Sequence, residues 1–142
     1  MKKNNIVPFD DLGFRIYLVN PDMYQLPDGT KIPSPNMKIL QDKVFQMLFE
    51  KPSRLTGNEV HFIRKYMYMT QKKFSEWLNL SNHSVVSQWE NKADEVTGMD
   101  INTEVLLRIQ MQAFISKTVS SDKIMSLKNF KTQNEPFYIE AA

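Results

Sequence analysis

Apolar positions along the chain fall into segments of different period, and each segment predicts an element. Residues 14–19 (FRIYLV) are aromatic and β-branched, with Phe14, Ile16 and Leu18 on alternate positions, which predicts a strand with one buried face. Leu26-Pro27-Asp28-Gly29 has the Pro and Gly of a type I turn and predicts a hairpin joining short strands at 23–26 and 30–33. Residues 1–13 show no such period and are expected to be a loose lead-in. From Ser34-Pro35, a cap followed by a first-turn proline, the period lengthens. Met37, Leu40, Val44, Met47 and Leu48 form one stripe of a helix that ends near Glu50, before Pro52.

The same helical period then recurs in shorter pieces. Thr56-Gly57-Asn58-Glu59 is a capping box, and Val60, Phe62, Ile63 and Met67 are the buried positions behind it. Thr70 caps a helix over 71–78, with Phe74, Trp77 and Leu78 inward. Asn79 ends it, since Asn tolerates the left-handed backbone of a tight turn. Ser81 or Asn82 caps a third helix that ends near Asn91. After a polar connection over 91–99, Asp100 or Asn102 starts a helix with Val105, Leu106, Ile109 and Ala113 on one face. Beyond residue 116, Val119, Ile124, Leu127 and Phe130 allow one more amphipathic helix, and 136–139 (PFYI) a last strand docking on the N-terminal sheet. The expected fold is mainly α: a helix-turn-helix bundle of about five helices with a small N-terminal antiparallel β module. The expected divisions are 1–50, 51–116 and 117–142.

Composition supports a packed chain, with 42% hydrophobic residues in 142. Net charge is only +2, but it is unevenly placed. Residues 50–92 carry seven Lys/Arg against four Asp/Glu, whereas residues 93–142 carry five against seven. The positive excess thus falls on the short helices, as phosphate neutralisation requires. There are no cysteines, which removes disulfides, zinc–thiolate sites and thiol nucleophiles. Apolar runs are far shorter than the roughly 20 residues that span a bilayer. The basic start, MKKNN, lacks the apolar stretch of a signal peptide. A cytoplasmic protein without a membrane partner is expected.

Two short capped helices in succession, the second with a polar outer face, are the layout that places one helix in the DNA major groove. Val86 and Trp89, helped by Val85, can hold the third helix to the domain. Ser84 and Gln88 share another face, with Asn82, His83 and Ser87 near the tip. Hydroxyl, imidazole and amide groups can meet base edges, and Gln pairs bidentately with adenine. Gln71 is placed to meet a phosphate at the start of its helix. Lys72, Lys73, Lys92, Arg54, Arg64 and Lys65 are candidate backbone anchors. The expected DNA-binding set is therefore Gln71, Lys72, Asn82, His83, Ser84, Ser87, Gln88 and Lys92.

These residues resemble the Cro/phage-repressor (XRE) class of helix-turn-helix domain. Thr70-Gln71 stands where that class opens its second helix, Phe74, Ser75 and Leu78 follow its apolar–small–apolar spacing, and Trp89-Glu90-Asn91 closes its recognition helix. The resemblance implies that Glu90 supports the fold rather than reads DNA. Ser75 replaces the usual Ala and Asn79 the usual Gly, and residues 79–90 are one longer than the common pattern, the surplus falling at Asn82-His83. The wider stretch, with a short β module before Leu55-Thr56-Gly57, Glu59 and Phe62-Ile63-Arg64-Lys65, is similar to MqsA-type antitoxins. Those bind zinc through N-terminal cysteines, so no zinc site carries over to this chain.

Enzyme chemistry finds little footing. His61 and His83 have no acidic metal-ligand spacing, Asp10-Asp11 lies in the lead-in, and the four glycines form no phosphate loop. No enzyme activity, cofactor or metal is expected. The run Tyr66-Met67-Tyr68-Met69 is too long to be buried all round and reads as core plus contact surface. The sequence therefore leads to a DNA-binding transcriptional regulator, a repressor acting as a homodimer on double-stranded DNA. The alternative is an antitoxin-like module that binds a partner toxin and regulates its own operon.

Overall fold

A computed structural model describes residues 3–115 and 136–140. In chain order the elements are β1 (Ile6–Phe9), β2 (Ile16–Val19), β3 (Met23–Gln25), β4 (Lys31–Pro33), α1 (Met37–Glu50), α2 (Gly57–Tyr66), α3 (Gln71–Trp77), α4 (Ser84–Glu90), α5 (Ile101–Phe114) and β5 (Tyr138–Glu140). They fall into two compact units, one from residues 3–44 and 136–140, the other from residues 45–115. None of the helices among the described residues is long and apolar enough to cross a membrane.

The first unit is built on a three-stranded sheet in the order β1-β2-β5. β2 is central, and its alternation buries Ile16 and Leu18 completely while Tyr17, on the other face, stacks on Tyr138 at 5.3 Å. β1 pairs antiparallel to β2, with Phe9 opposite Ile16. β5 pairs parallel to it, with Ile139 opposite Leu18. The final strand therefore docks on the N-terminal sheet as expected. The loose lead-in expected over 1–13 is corrected, because β1 lies within it. Pro8 obscured it in the sequence, but β1 is an edge strand, where a missing N–H is tolerated. The expected hairpin is present: the Gly29 N–H donates to the Leu26 carbonyl at 2.9 Å, and β3 and β4 form a separate two-stranded sheet.

Helix α1 starts two residues later than the Ser34-Pro35 signal suggests. Asn36 caps it, its Oδ1 accepting from the Ile39 N–H at 3.1 Å. The buried stripe contains Leu40, Val44 and Leu48 as expected, but also Phe45 and Phe49, while Met37 is exposed. An aromatic one position after Val44 and after Leu48 widens the stripe beyond a single row.

In the second unit the capping box at Thr56 is complete, with the Thr56 side chain and the Glu59 side chain each bonding the other's backbone N–H. Val60, Phe62, Ile63 and Met67 are buried as expected. Thr70 caps α3, Phe74 and Leu78 are buried, and Asn79 turns out of the helix at φ 57°. Asp100 caps α5 by accepting from the Asn102 N–H at 3.0 Å.

The face that α5 buries is not the one expected. Leu106 and Ala113 are exposed, and Glu104, Val105, Leu107, Arg108, Met111 and Gln112 are inside. Glu104 and Arg108 can be buried because they pair with each other and bond further groups around them. Glu104 accepts from Arg108 Nη2 at 2.8 Å, Arg54 Nε at 3.0 Å and the Leu55 N–H at 3.2 Å. Arg108 donates to the carbonyls of Lys51 at 2.5 Å and Ser53 at 2.7 Å. Lys51 donates to Glu59 at 2.6 Å, and burial pushes its ammonium below the usual lysine range despite that partner. This network fixes residues 51–55, the lead into α2, onto α5. Five helices meet the expected count, but the β part exceeds a small antiparallel module, and the described chain is mixed α/β.

Candidate nucleic-acid interface

Three short helices, α2, α3 and α4, pack together, and one carboxylate ties them. Glu90, at the end of α4, accepts from Arg64 Nε at 2.6 Å and from Arg64 Nη2 at 2.9 Å. His61 Nδ1 lies 2.6 Å from the same carboxylate, and Gln71 Nε2 donates to it at 3.4 Å. Arg64 also donates to the Met69 carbonyl at 3.0 Å, which fixes the turn between α2 and α3. Burial alone would raise the Glu90 carboxyl. The hydrogen bonds from Arg64 and His61 outweigh it and hold the group below the usual carboxylate range. Glu90 therefore has the fold-supporting place that the resemblance implies.

A second joint fixes the turn that follows α4. The first amides of α2 bond the turn after α4: the Gly57 N–H donates to the Glu95 carbonyl at 3.1 Å and the Asn58 N–H to that of Ala93 at 2.9 Å. The approach is so close that a Cβ on Gly57 would stand 2.3 Å from the Trp89 carbonyl oxygen. Only glycine fits there.

With its C-terminal end fixed, α4 turns Val86 and Trp89 into the core, as expected. On a 100° helical wheel, Ser84, Gln88 and Asn91 fall opposite that buried pair, with Ser87 beside them. Gln88 and Asn91 are exposed, and Ser84 and Ser87 are half-buried. The line presents two hydroxyls and two amides with no charge among them. Asn91 was missed because it was read as the end of the helix, although its spacing of 3 from Gln88 and 7 from Ser84 places it on the same face.

The remaining expected residues separate into two groups. Lys72 and Lys73 are exposed at the start of α3, and Lys92 is exposed just after α4. Asn82 and His83 are exposed before α4 rather than in its first turn. Six residues, 78–83, separate α3 from α4, and Asn82 Oδ1 accepts from the Ser84 N–H at 3.0 Å, so the helix opens later than a cap at Ser81 or Asn82 implies.

Two expected anchors and one phosphate contact are engaged inside the unit. Arg64 is buried on Glu90, and Arg54 bonds Glu104 and the Met99 carbonyl. Gln71 is half-buried and turns its amide toward Glu90. A sequence scan counts such cations as solvent-facing because their carboxylate partners lie 26 and 50 positions away. Comparison of the chain with protein-family models, curated proteins and solved structures gives no match.

Proposed function

We propose that this protein is a sequence-specific DNA-binding transcriptional regulator whose recognition helix is α4. The observation that carries the reading is the uncharged hydrogen-bonding line Ser84, Ser87, Gln88 and Asn91, set opposite a buried Val86–Trp89 pair. Groups of this kind exchange hydrogen bonds with base edges in the major groove, and the two amides can each pair bidentately with adenine. Lys72, Lys73 and Lys92, all exposed, supply phosphate contacts that position the helix without reading sequence. Two protomers on a pseudo-palindromic operator, with recognition helices roughly 34 Å apart, and repression of the bound promoter complete the proposal, in line with the Cro/phage-repressor resemblance.

The test is a gel shift on duplexes from upstream of the protein's own gene against random duplexes. Specific binding is expected to be at least 10³-fold tighter than random binding. Equal affinity for both would refute sequence-specific recognition.

One observation favours a second reading, in which the first unit binds a partner protein, as an antitoxin does. Both strands of the β3–β4 hairpin are mostly exposed, and Tyr24 and Ile32, paired across it, are 58% and 41% exposed. A two-stranded sheet gains little stability alone. Co-purification with the product of the adjacent gene, lost on Tyr24→Ser with Ile32→Ser, is the expected result under that reading.

A further inference from the structure

We propose that His61 is a pH-dependent phosphate contact, whose outer ring nitrogen, Nε2, binds the DNA backbone beside α4 when it carries a proton. The inference rests on the reading of α4 as the recognition helix. Glu90 fixes the chemistry of the imidazole. Its carboxylate, paired with Arg64, has an oxygen 2.6 Å from His61 Nδ1. An ionised carboxylate only accepts, so Nδ1 carries a hydrogen and donates. The tautomer is thereby set, and the ring site left to gain or lose a proton is Nε2. The Glu90 side chain is 8% exposed and that of His61 47%, so the ring runs outward from the joint and leaves Nε2 on the solvent side. Neutral, Nε2 presents a lone pair, which a phosphate oxygen cannot bond. Protonated, it presents a charge-assisted donor.

Position on the helix selects the ligand. On the wheel of α4, Glu90 falls between the buried Val86 and Ser87, at the edge of the polar line. His61, bonded to Glu90, therefore flanks that line and does not extend it. A helix that aims its centre at base edges has the sugar–phosphate strands along its flanks, where contacts position the helix without reading sequence. The charged groups around His61 come from three elements. Arg64 and Lys65 lie on its own helix, and Arg64 Nη2 is 3.3 Å from Nδ1. Glu90 belongs to α4. Asp94, in the turn after α4, is held at 3.0 Å by Asn58, three residues before His61. The two cations oppose a further charge on the ring, and the two carboxylates favour it. A DNA phosphate adds a third negative group, so binding takes up a proton.

The experiment is fluorescence anisotropy of the full chain on a labelled duplex of random sequence, at fixed ionic strength, at about pH 6 and about pH 8. The wild type is expected to bind about two- to fivefold tighter at the lower pH. Its affinity should also depend more steeply on salt there, by about one phosphate's worth of slope. His61→Gln, whose amide can still donate to Glu90, is expected to match the wild type at the higher pH and to lose both gains at the lower. A wild type with no gain at the lower pH would overturn the proposal. So would a gain that survives His61→Gln, which would belong to His83, the other histidine of the chain. A variant weakened equally at both pH values would also overturn it, since the role of His61 would then be structural. These three results leave the DNA-binding reading standing, whereas failure to bind the duplex at either pH would overturn both.

Discussion

Gly57 marks a close approach in the second unit, where the backbone of α2 meets the carbonyls that end α4. A methyl group there would meet backbone atoms at 2.3–2.9 Å, none of which can swing aside. Gly57→Ala is expected to cost roughly 1–3 kcal/mol, read as a lower denaturant midpoint. Ala93, in the turn against it, holds φ 54°, a left-handed conformation that penalises a Cβ. Ala93→Gly is expected to gain about 0.5–1 kcal/mol in the same assay. Glu90 gives the chain a defined acid response. Its folded carboxyl lies below its ordinary value of 4.5, so its contribution is complete above that pH and fades as pH falls through the folded value. Glu90→Gln is expected to lower stability by about 3 kcal/mol at neutral pH, because Arg64 keeps its burial without its counter-charge. The variant's midpoint should then vary less with pH below about 4.5 than the wild type's. Of these three residues the sequence indicated Glu90 by resemblance and Gly57 only as part of a capping box. The close approach at Gly57 depends on a residue 32 positions away, beyond the reach of any local pattern.

At the scale of elements, α4 carries the proposed chemistry and α2 and α3 hold it. The amides of its outer face and the lysines of α3 and of the turn after α4 should separate by behaviour. Gln88→Ala and Asn91→Ala are each expected to cost roughly 1–3 kcal/mol of binding at the preferred site and much less on random DNA. Lys72→Ala is expected to weaken both alike and to reduce the salt slope by about 1. Capping chemistry made these elements legible: Thr56, Thr70 and Asp100 each announce a helix, and each caps one. Polarity misled where it was inverted. The spacing of Leu106, Ile109 and Ala113 was read correctly as an apolar stripe, but a sequence cannot show that Glu104 and Arg108 satisfy one another inside. The same blindness made anchors of Arg54 and Arg64, whose partners are brought by other elements.

For the whole molecule, the first strand is what local reading sees least well, whereas the last was expected at 136–139 and is found at Tyr138–Glu140. β1 contains a proline and β5 is three residues long, and both exist by pairing with β2. Only β2, which buries Ile16 and Leu18, announced itself by alternation. The further helix expected from Val119, Ile124, Leu127 and Phe130 lies outside the described residues. The two units differ in what they expose: a hairpin in the first, a polar helix face in the second. The central claim concerns the polar helix face, and nuclease footprinting of the full chain on DNA upstream of its own gene tests it most directly. The account predicts a protected pair of half-sites about one helical turn apart, lost at the same protein concentration in the Gln88→Ala, Asn91→Ala variant while its unfolding midpoint holds. No protection, or protection that the double variant leaves intact, would contradict it.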